Sequence, residues 1–333
     1  MGKEKEREYL FDNYRFFLIF LVVVGHFVEP CFKNSLIISA MRGFIFSFHM
    51  PAFIFISGYF SKSVESLRKL IQKLLIPYFV YEILYYLLYT YVIHKETKLY
   101  LAYPKFTLWY LAALFVWRFL TPWIRKIPYY LPLSFLAGLL IGFSDLDNFL
   151  TIPRIVYFYP FFLAGTCFTT EYVTQIRHRF RRASCIAVGG LSLGTLLALL
   201  CIYTSTIRIF HGRYSYASMG LNATEGILTR ILCYLVSFGF LFFFMILLPK
   251  TQTAFSYIGQ RTLPVYIFHG LLFQTMNKMT PILSTVRTFP QILGLLLFCL
   301  FLVWFFSRKP FLVITGKIAS VPLGPFRRSS LPL

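Results

Sequence analysis

The chain has 333 residues, of which 58% are hydrophobic, 20% aromatic and only 14% charged. A water-soluble globule of this length needs far more polar surface, so composition excludes one and points to an all-α, polytopic integral membrane protein embedded in a lipid bilayer. The formal net charge of +21 does not signal a nucleic-acid partner, because the basic residues are dispersed between apolar runs as topology signals are.

Ten transmembrane helices are expected, at about 13–29, 44–61, 72–93, 107–121, 129–143, 154–170, 184–204, 227–248, 262–277 and 289–307. Arg15 and His26 interrupt the first apolar run and no small-residue cleavage pattern follows it. It therefore reads as a retained helix and not a signal peptide. With the N-terminus inside, the stretches 1–12, 62–71, 122–128, 171–183, 249–261 and the basic tail 308–333 hold about twice as many Lys and Arg as the outer loops. The expected arrangement is N-in and C-in, with one transmembrane domain over residues 1–333, a cytoplasmic lead at 1–12 and a cytoplasmic tail at 308–333. The longest outer loop, about 205–226, holds His211, Gly212 and Arg213 and is placed to cover a substrate from outside. The six cysteines are scattered and form neither a metal-ligand pair nor a disulfide framework. No resident metal is expected.

The chemistry concentrates in residues 12–60. Arg15 and His26 are eleven residues apart, so at 100° per residue they lie only about 20° apart around a helix. Asp12 sits one turn before Arg15. One helix thus carries an acid, a guanidinium and an imidazole spread over roughly 20 Å of its axis. Ionisable groups inside a membrane span are costly and by default mark a site facing the protein interior. His26 has the intrinsic pKa of a general base near neutral pH; the bland alternative is a buried imidazole bonding a neighbouring helix. Arg15 is either an anion-binding group or an interfacial anchor. His49, two residues before Pro51, either belongs to the site or satisfies a carbonyl freed by the proline. The run Arg68, Lys69, Lys73 is an inside-positive signal that equally suits the phosphates of a nucleotide. Glu82 is an acid within the bilayer that requires a basic partner. Trp109 belongs to an aromatic belt or a site wall, Arg118 snorkels or joins a cofactor site, and His269 packs helices or lines the site.

Arg15, ten intervening residues and His26, followed by Phe48-His49-Met50-Pro51 and Ser57-Gly58, resemble the membrane-bound acyltransferase family 3. So do the basic Leu-x-x-Pro-Tyr stretch from Arg68 to Tyr78, the block Leu108-Trp109-Tyr110-Leu111 and the late block from Ser256 to His269. The wording is nearest the branch that resembles fucose or surface-sugar O-acetyltransferases. No stretch of the 333 residues reads as the extracytoplasmic esterase-like domain that some members carry. The resemblance implies transfer of an acyl group, usually acetyl, from acyl-CoA (acetyl-CoA) to a sugar hydroxyl of a cell-surface or lipid-linked glycan. It implies a multi-pass protein of a cell membrane, of the bacterial cytoplasmic type. His26, Arg15 and His49 would be catalytic, Arg68, Lys69, Lys73 and Arg118 would hold the donor, and Asp12, Glu82, Trp109 and His269 would support the site. The contrasting expectation is a transporter or flippase for a glycan or small anion, using the same buried charges as a pathway. The sequence specifies neither the acceptor sugar nor the oligomeric state.

Overall fold

The computed structural model describes residues 9–321 except 170, 173, 176–181 and 203–205. The polar lead 1–8, the basic residues Arg177, Arg179 and Arg181, and the end of the tail lie outside the described residues. The chain is 79% helical with no strand among the described residues. Its main helices are α1 (Tyr9–Val28), α2 (Leu36–Tyr59), α3 (Leu67–Val92), α4 (Phe106–Ile124), α5 (Tyr130–Leu140), α6 (Ile152–Cys167), α7 (Arg182–Ile202), α8 (Ala223–Leu247), α9 (Thr262–Met279), α10 (Phe289–Phe306) and α11 (Lys309–Ala319). The first ten coincide in order with the predicted spans. Among the described residues seven are long and apolar enough to cross a membrane: α1, α2, α3, α4, α6, α8 and α10, counted with their short flanking turns. Of the other three, α5 is short, α7 offers only the shorter apolar stretch Cys185–Cys201, and α9 is polar with His269, Gln274, Asn277 and Lys278.

The helix ends follow local chemistry. Ser35 is extended and separates α2 from the 3₁₀ turn Glu29–Asn34, so α1 and α2 form a tight hairpin. α2 begins eight residues earlier than the predicted 44, because Arg42 is not a loop residue: its guanidinium takes both oxygens of Glu29 across the hairpin. Asn222 and Glu225 cap the start of α8 reciprocally, as do Thr288 and Gln291 for α10. α3 has two π-helical turns, at Ile71–Leu75 and Leu88–Val92. After α10, Lys309–Ala319 forms one more helix in what was expected to be a tail.

Helix α1 is the axis of the bundle. Phe11, Tyr14, Leu18, Ile19, Val23 and Phe27 are fully buried on all sides of it, as expected for a helix enclosed by others. It packs against α2, α8, α9 and α10. Its foot is pinned by Asn13, whose amide donates to the carbonyls of Pro249 and Thr251 (both 2.9 Å) while its oxygen accepts from Thr253 (2.7 Å) and Ser256 (2.6 Å). Every hydrogen-bonding position of that buried amide is filled.

The most extensive helix pair is α2 with α6. A Cβ on Gly58 would collide with the Phe162 carbonyl, and one on Gly165 with the Phe55 carbonyl. The two backbones, which run the same way from the cavity shared by His49 and Arg154 to the Lys62 contact with the Phe168 carbonyl, approach at a distance only glycine permits, the small-residue packing expected where water supplies no drive between helices. Pro51 lies inside α2 and leaves the Ser47 carbonyl without its helical donor. Ser237 of α8 donates to that carbonyl at 2.5 Å. The carbonyl that Pro51 frees is therefore satisfied by Ser237 and not by His49, whose Nδ1 donates to the Ile45 carbonyl at 2.6 Å. Gly58→Val and Gly165→Val are expected to cost about 3 kcal/mol or more, since the obstacle is backbone that cannot yield. The check is thermal unfolding of the detergent-solubilised protein; an unchanged midpoint in both variants would contradict the close crossing.

Candidate active site

Two cavities lie at different levels along α1, α2 and α4, and Tyr266 of α9 lines both. The first, about 240 Å³, is walled by Arg15, Ser57, Phe60, Lys73, Tyr110, Arg118 and Tyr266. The second, about 340 Å³, holds His26, Glu29, His49, Trp109, Arg154, His211 and Tyr266. A further cavity of about 550 Å³, lined by Glu65, Arg118, Trp123, Arg125 and Lys126, continues from the first through Arg118.

In the Arg15 cavity every cation that lines it is steered by a carboxylate. Asp12 Oδ1 takes Arg15 Nη2 at 2.6 Å, and Asp12 Oδ2 accepts from Gln260 at 3.0 Å. The guanidinium also lies 4.8 Å from the Phe60 ring. Glu65 receives Lys73 at 2.6 Å and Arg118 at 3.2 Å. Burial alone would raise the Glu65 carboxyl, but the Lys73 hydrogen bond and the Arg118 charge hold it below its ordinary value. Three cations thus face two acids at the mouth of an otherwise aromatic and aliphatic cavity, an arrangement suited to a phosphorylated ligand. Arg68 and Lys69 do not line this cavity; in the run 68–73 the chain turns only Lys73 into it. Glu65 was not foreseen, although an acid inside a basic run is the signal that would have found it.

His26 stands at the far end of α1. Its imidazole makes no hydrogen bond with the described residues and sits among Phe106 (4.6 Å between ring centroids), His269 (5.5 Å) and Phe273 (5.9 Å). An imidazole without a hydrogen-bond partner among the described residues, lining a cavity, is available to take a proton from something bound there. His49, His211 and His269 are held differently. Each donates its Nδ1 proton to the carbonyl one helical turn back, of Ile45 (2.6 Å), Ile207 (2.8 Å) and Val265 (2.7 Å). In the neutral form each ring then offers Nε2 as an acceptor. His211, which lies between α7 and α8, is pushed down to about 3 by burial, with the charges of Arg154, Arg42 and Arg213 adding to it, so it remains neutral at physiological pH.

Phe106, over the His26 ring, has φ +47°, a left-handed conformation that is strained for an aromatic residue. The strain is held from both sides. The preceding amide of Lys105 donates to Glu82 Oε1 at 2.5 Å, and Lys105 Nζ reaches Glu82 Oε2 at 3.3 Å. On the other side the Tyr266 hydroxyl donates to the Thr107 carbonyl. Glu82, fully buried, is thus paired by Lys105 and fixes the turn that lays Phe106 on His26. Lys105, Phe106 and Tyr266 escaped the sequence reading. Lys105 looked like a loop cation, and the two aromatics are among 40 Phe and 23 Tyr. Trp109 lines the His26 cavity, with the Arg154 guanidinium 4.8 Å over its ring. His211, of the outer loop expected to cover a substrate, lines the same cavity, as does Arg154 at the start of α6. Among the described residues no cluster of three His, Cys, Asp or Glu side chains is placed to hold a metal ion.

Residues 8–308 match the family model of the acyltransferase domain, acyltransferase family 3, and the chain belongs to that family. With its apolar helices it is a multi-pass membrane acyltransferase. No curated protein and no solved structure matches the chain.

Glu82→Gln leaves the Lys105 ammonium, only 9% exposed, without its counter-charge. It is expected to cost about 3 kcal/mol or more of stability, read as a fall in the thermal midpoint. A midpoint equal to the parent's would show that the pair is not holding the turn.

Proposed function

We propose that the protein is an O-acyltransferase moving an acyl group, most simply acetyl, from acyl-CoA to a sugar hydroxyl of a cell-surface or lipid-linked glycan. The observation that carries this reading is the pair of cavities meeting at Tyr266, cationic on one side and imidazole-lined on the other. Arg15 and His26, eleven residues apart on one helix, are separated by roughly 16 Å along its axis. The pantetheine arm of CoA is an extended chain suited to such a gap. In this reading the phosphates lie with Arg15, Lys73 and Arg118, and the neighbouring cavity with Arg125, Lys126 and Trp123 takes the rest of the nucleotide. The inside-positive pattern supports setting this end toward the cytoplasm, and the proposed location is a cell's cytoplasmic membrane.

The chemistry balances on the residues present. The acceptor hydroxyl attacks the thioester carbonyl as His26 removes its proton, giving a tetrahedral oxyanion and an imidazolium. Collapse breaks the C–S bond, and the imidazolium returns the proton to the leaving sulfur. The products are the sugar ester and CoA thiol, with the imidazole neutral again. The Nε2 atom of His49 faces the same cavity, where it can accept a second hydroxyl and orient the sugar.

His26→Ala is expected to lower ester formation by about 10² to 10⁴ while acetyl-CoA still binds. Asp12→Ala, which frees Arg15, is expected to raise the KM for acetyl-CoA about tenfold with a smaller change in kcat. Both are measured with radiolabelled acetyl-CoA on membranes matched for protein level. Unchanged ester formation in His26→Ala would remove the catalytic assignment, and substrate flux without new ester bonds would favour the carrier.

A further inference from the structure

The His26 cavity holds a guanidinium, that of Arg154, with no ion pair among the described residues. Glu29 lines it, but both of its oxygens are taken by Arg42. Arg213 lines it and reaches Asp147 at only 3.8 Å, on a carboxylate that is 64% exposed, and also donates to the Tyr214 hydroxyl at 2.5 Å. Arg154 has no acidic partner among the described residues. Its Nε donates to the His211 carbonyl (3.2 Å) and its Nη1 to Asn148 Oδ1 (3.1 Å), both neutral, and Nη2 makes no hydrogen bond to them. A guanidinium confined in an apolar bundle is costly unless something neutralises it. The comparison within the molecule is Arg230, equally without an acid. Arg230 donates to the carbonyls of Gly138 and Tyr214, lies against the Tyr157 and Tyr216 rings and lines none of the three cavities, so it is a structural cation. Arg154 instead is fixed by two bonds and leaves its remaining donors over the same space as His26.

We propose that Arg154 and Arg213 form an anion subsite of the acceptor, binding a carboxylate or phosphate carried on the sugar beside the hydroxyl that His26 deprotonates. This rests on the acyl-transfer reading for the identity of the ligand, and on the geometry above for its charge. A forked guanidinium suits either oxyanion, held in two contacts. The Trp109 face under Arg154 and the Nε2 atoms of His49 and His211 supply the apolar wall and the acceptors a sugar ring requires. The His211 ring is neutral, so it adds an acceptor to the subsite and not a third positive charge.

The test is binding, so it stands apart from turnover. The purified full-length protein is titrated with methyl glucoside, methyl glucuronide and glucose 1-phosphate, and thermal unfolding is followed in each. The glucuronide, the phosphate or both are expected to raise the midpoint at concentrations where the neutral glucoside does not; the two arms separate a uronic acid from a phosphate-linked sugar. Arg154→Met is expected to weaken the effective probe about tenfold or more while stabilisation by acetyl-CoA persists. Arg154→Lys, which keeps the charge without the fork, covers the case in which the Met variant fails to fold and is expected to bind with intermediate strength. Equal effects of neutral and anionic sugars, no effect of any probe, or anion binding that survives both variants would overturn the subsite. Anion binding through Arg154 in a protein that forms no ester would keep the subsite and reject the reaction.

Discussion

Everything at the centre of this protein depends on one helix carrying charge where lipid cannot reach it. α1 is enclosed by α2, α8, α9 and α10, so Asp12, Arg15 and His26 face protein and cavity and not hydrocarbon. An isolated ion in such surroundings is untenable, and each is treated differently. Arg15 is neutralised by Asp12, which is in turn anchored by Gln260. His26 is left without a hydrogen bond to the described residues, which only a neutral ring tolerates. The helix thus separates a paired charge at one end from an unbonded imidazole at the other.

Rigidity around that helix comes from backbone more than from side-chain volume. Gly58 and Gly165 bring α2 and α6 into main-chain contact, Asn13 fastens the 249–256 segment to the foot of α1, and Ser237 repairs the carbonyl that Pro51 exposes. The strained residue Phe106 is then affordable, because Glu82 and Tyr266 hold the turn before and after it. Asp147, Leu150 and Thr151 are also left-handed in the segment that delivers Asn148 and Arg154 to the cavity. Strain collects around the imidazole end of the bundle, where side chains must be aimed.

The sequence disclosed whatever obeys a local period. The Asp12–Arg15–His26 face is legible because helical spacing alone brings the three together, and the ten helices are legible as apolar runs. The site's other wall was hidden for a physical reason. Arg154 and Lys105 sit at helix ends, where a cation reads as a topology signal whether it faces water or a cavity. Likewise nothing in the run Arg68, Lys69, Lys73 tells which side chain turns inward; Lys73, which does, lies in the π turn Ile71–Leu75. The partner of the Pro51 kink lies 190 residues away in sequence, and Tyr266 is one tyrosine among 23 until the fold places it between two cavities. Long-range pairings of this kind are set by packing and leave no periodic trace.

The central claim is that donor and acceptor enter from opposite ends of the bundle and meet near Tyr266. Its most direct test is transfer in proteoliposomes of uniform orientation, with radiolabelled acetyl-CoA sealed on one side and acceptor glycan supplied only on the other. The account expects labelled ester when acetyl-CoA is on the Arg15 side and the glycan on the His26 side, and none when the two are exchanged. Equal labelling in both arrangements, or labelling only when both substrates share a side, would contradict it.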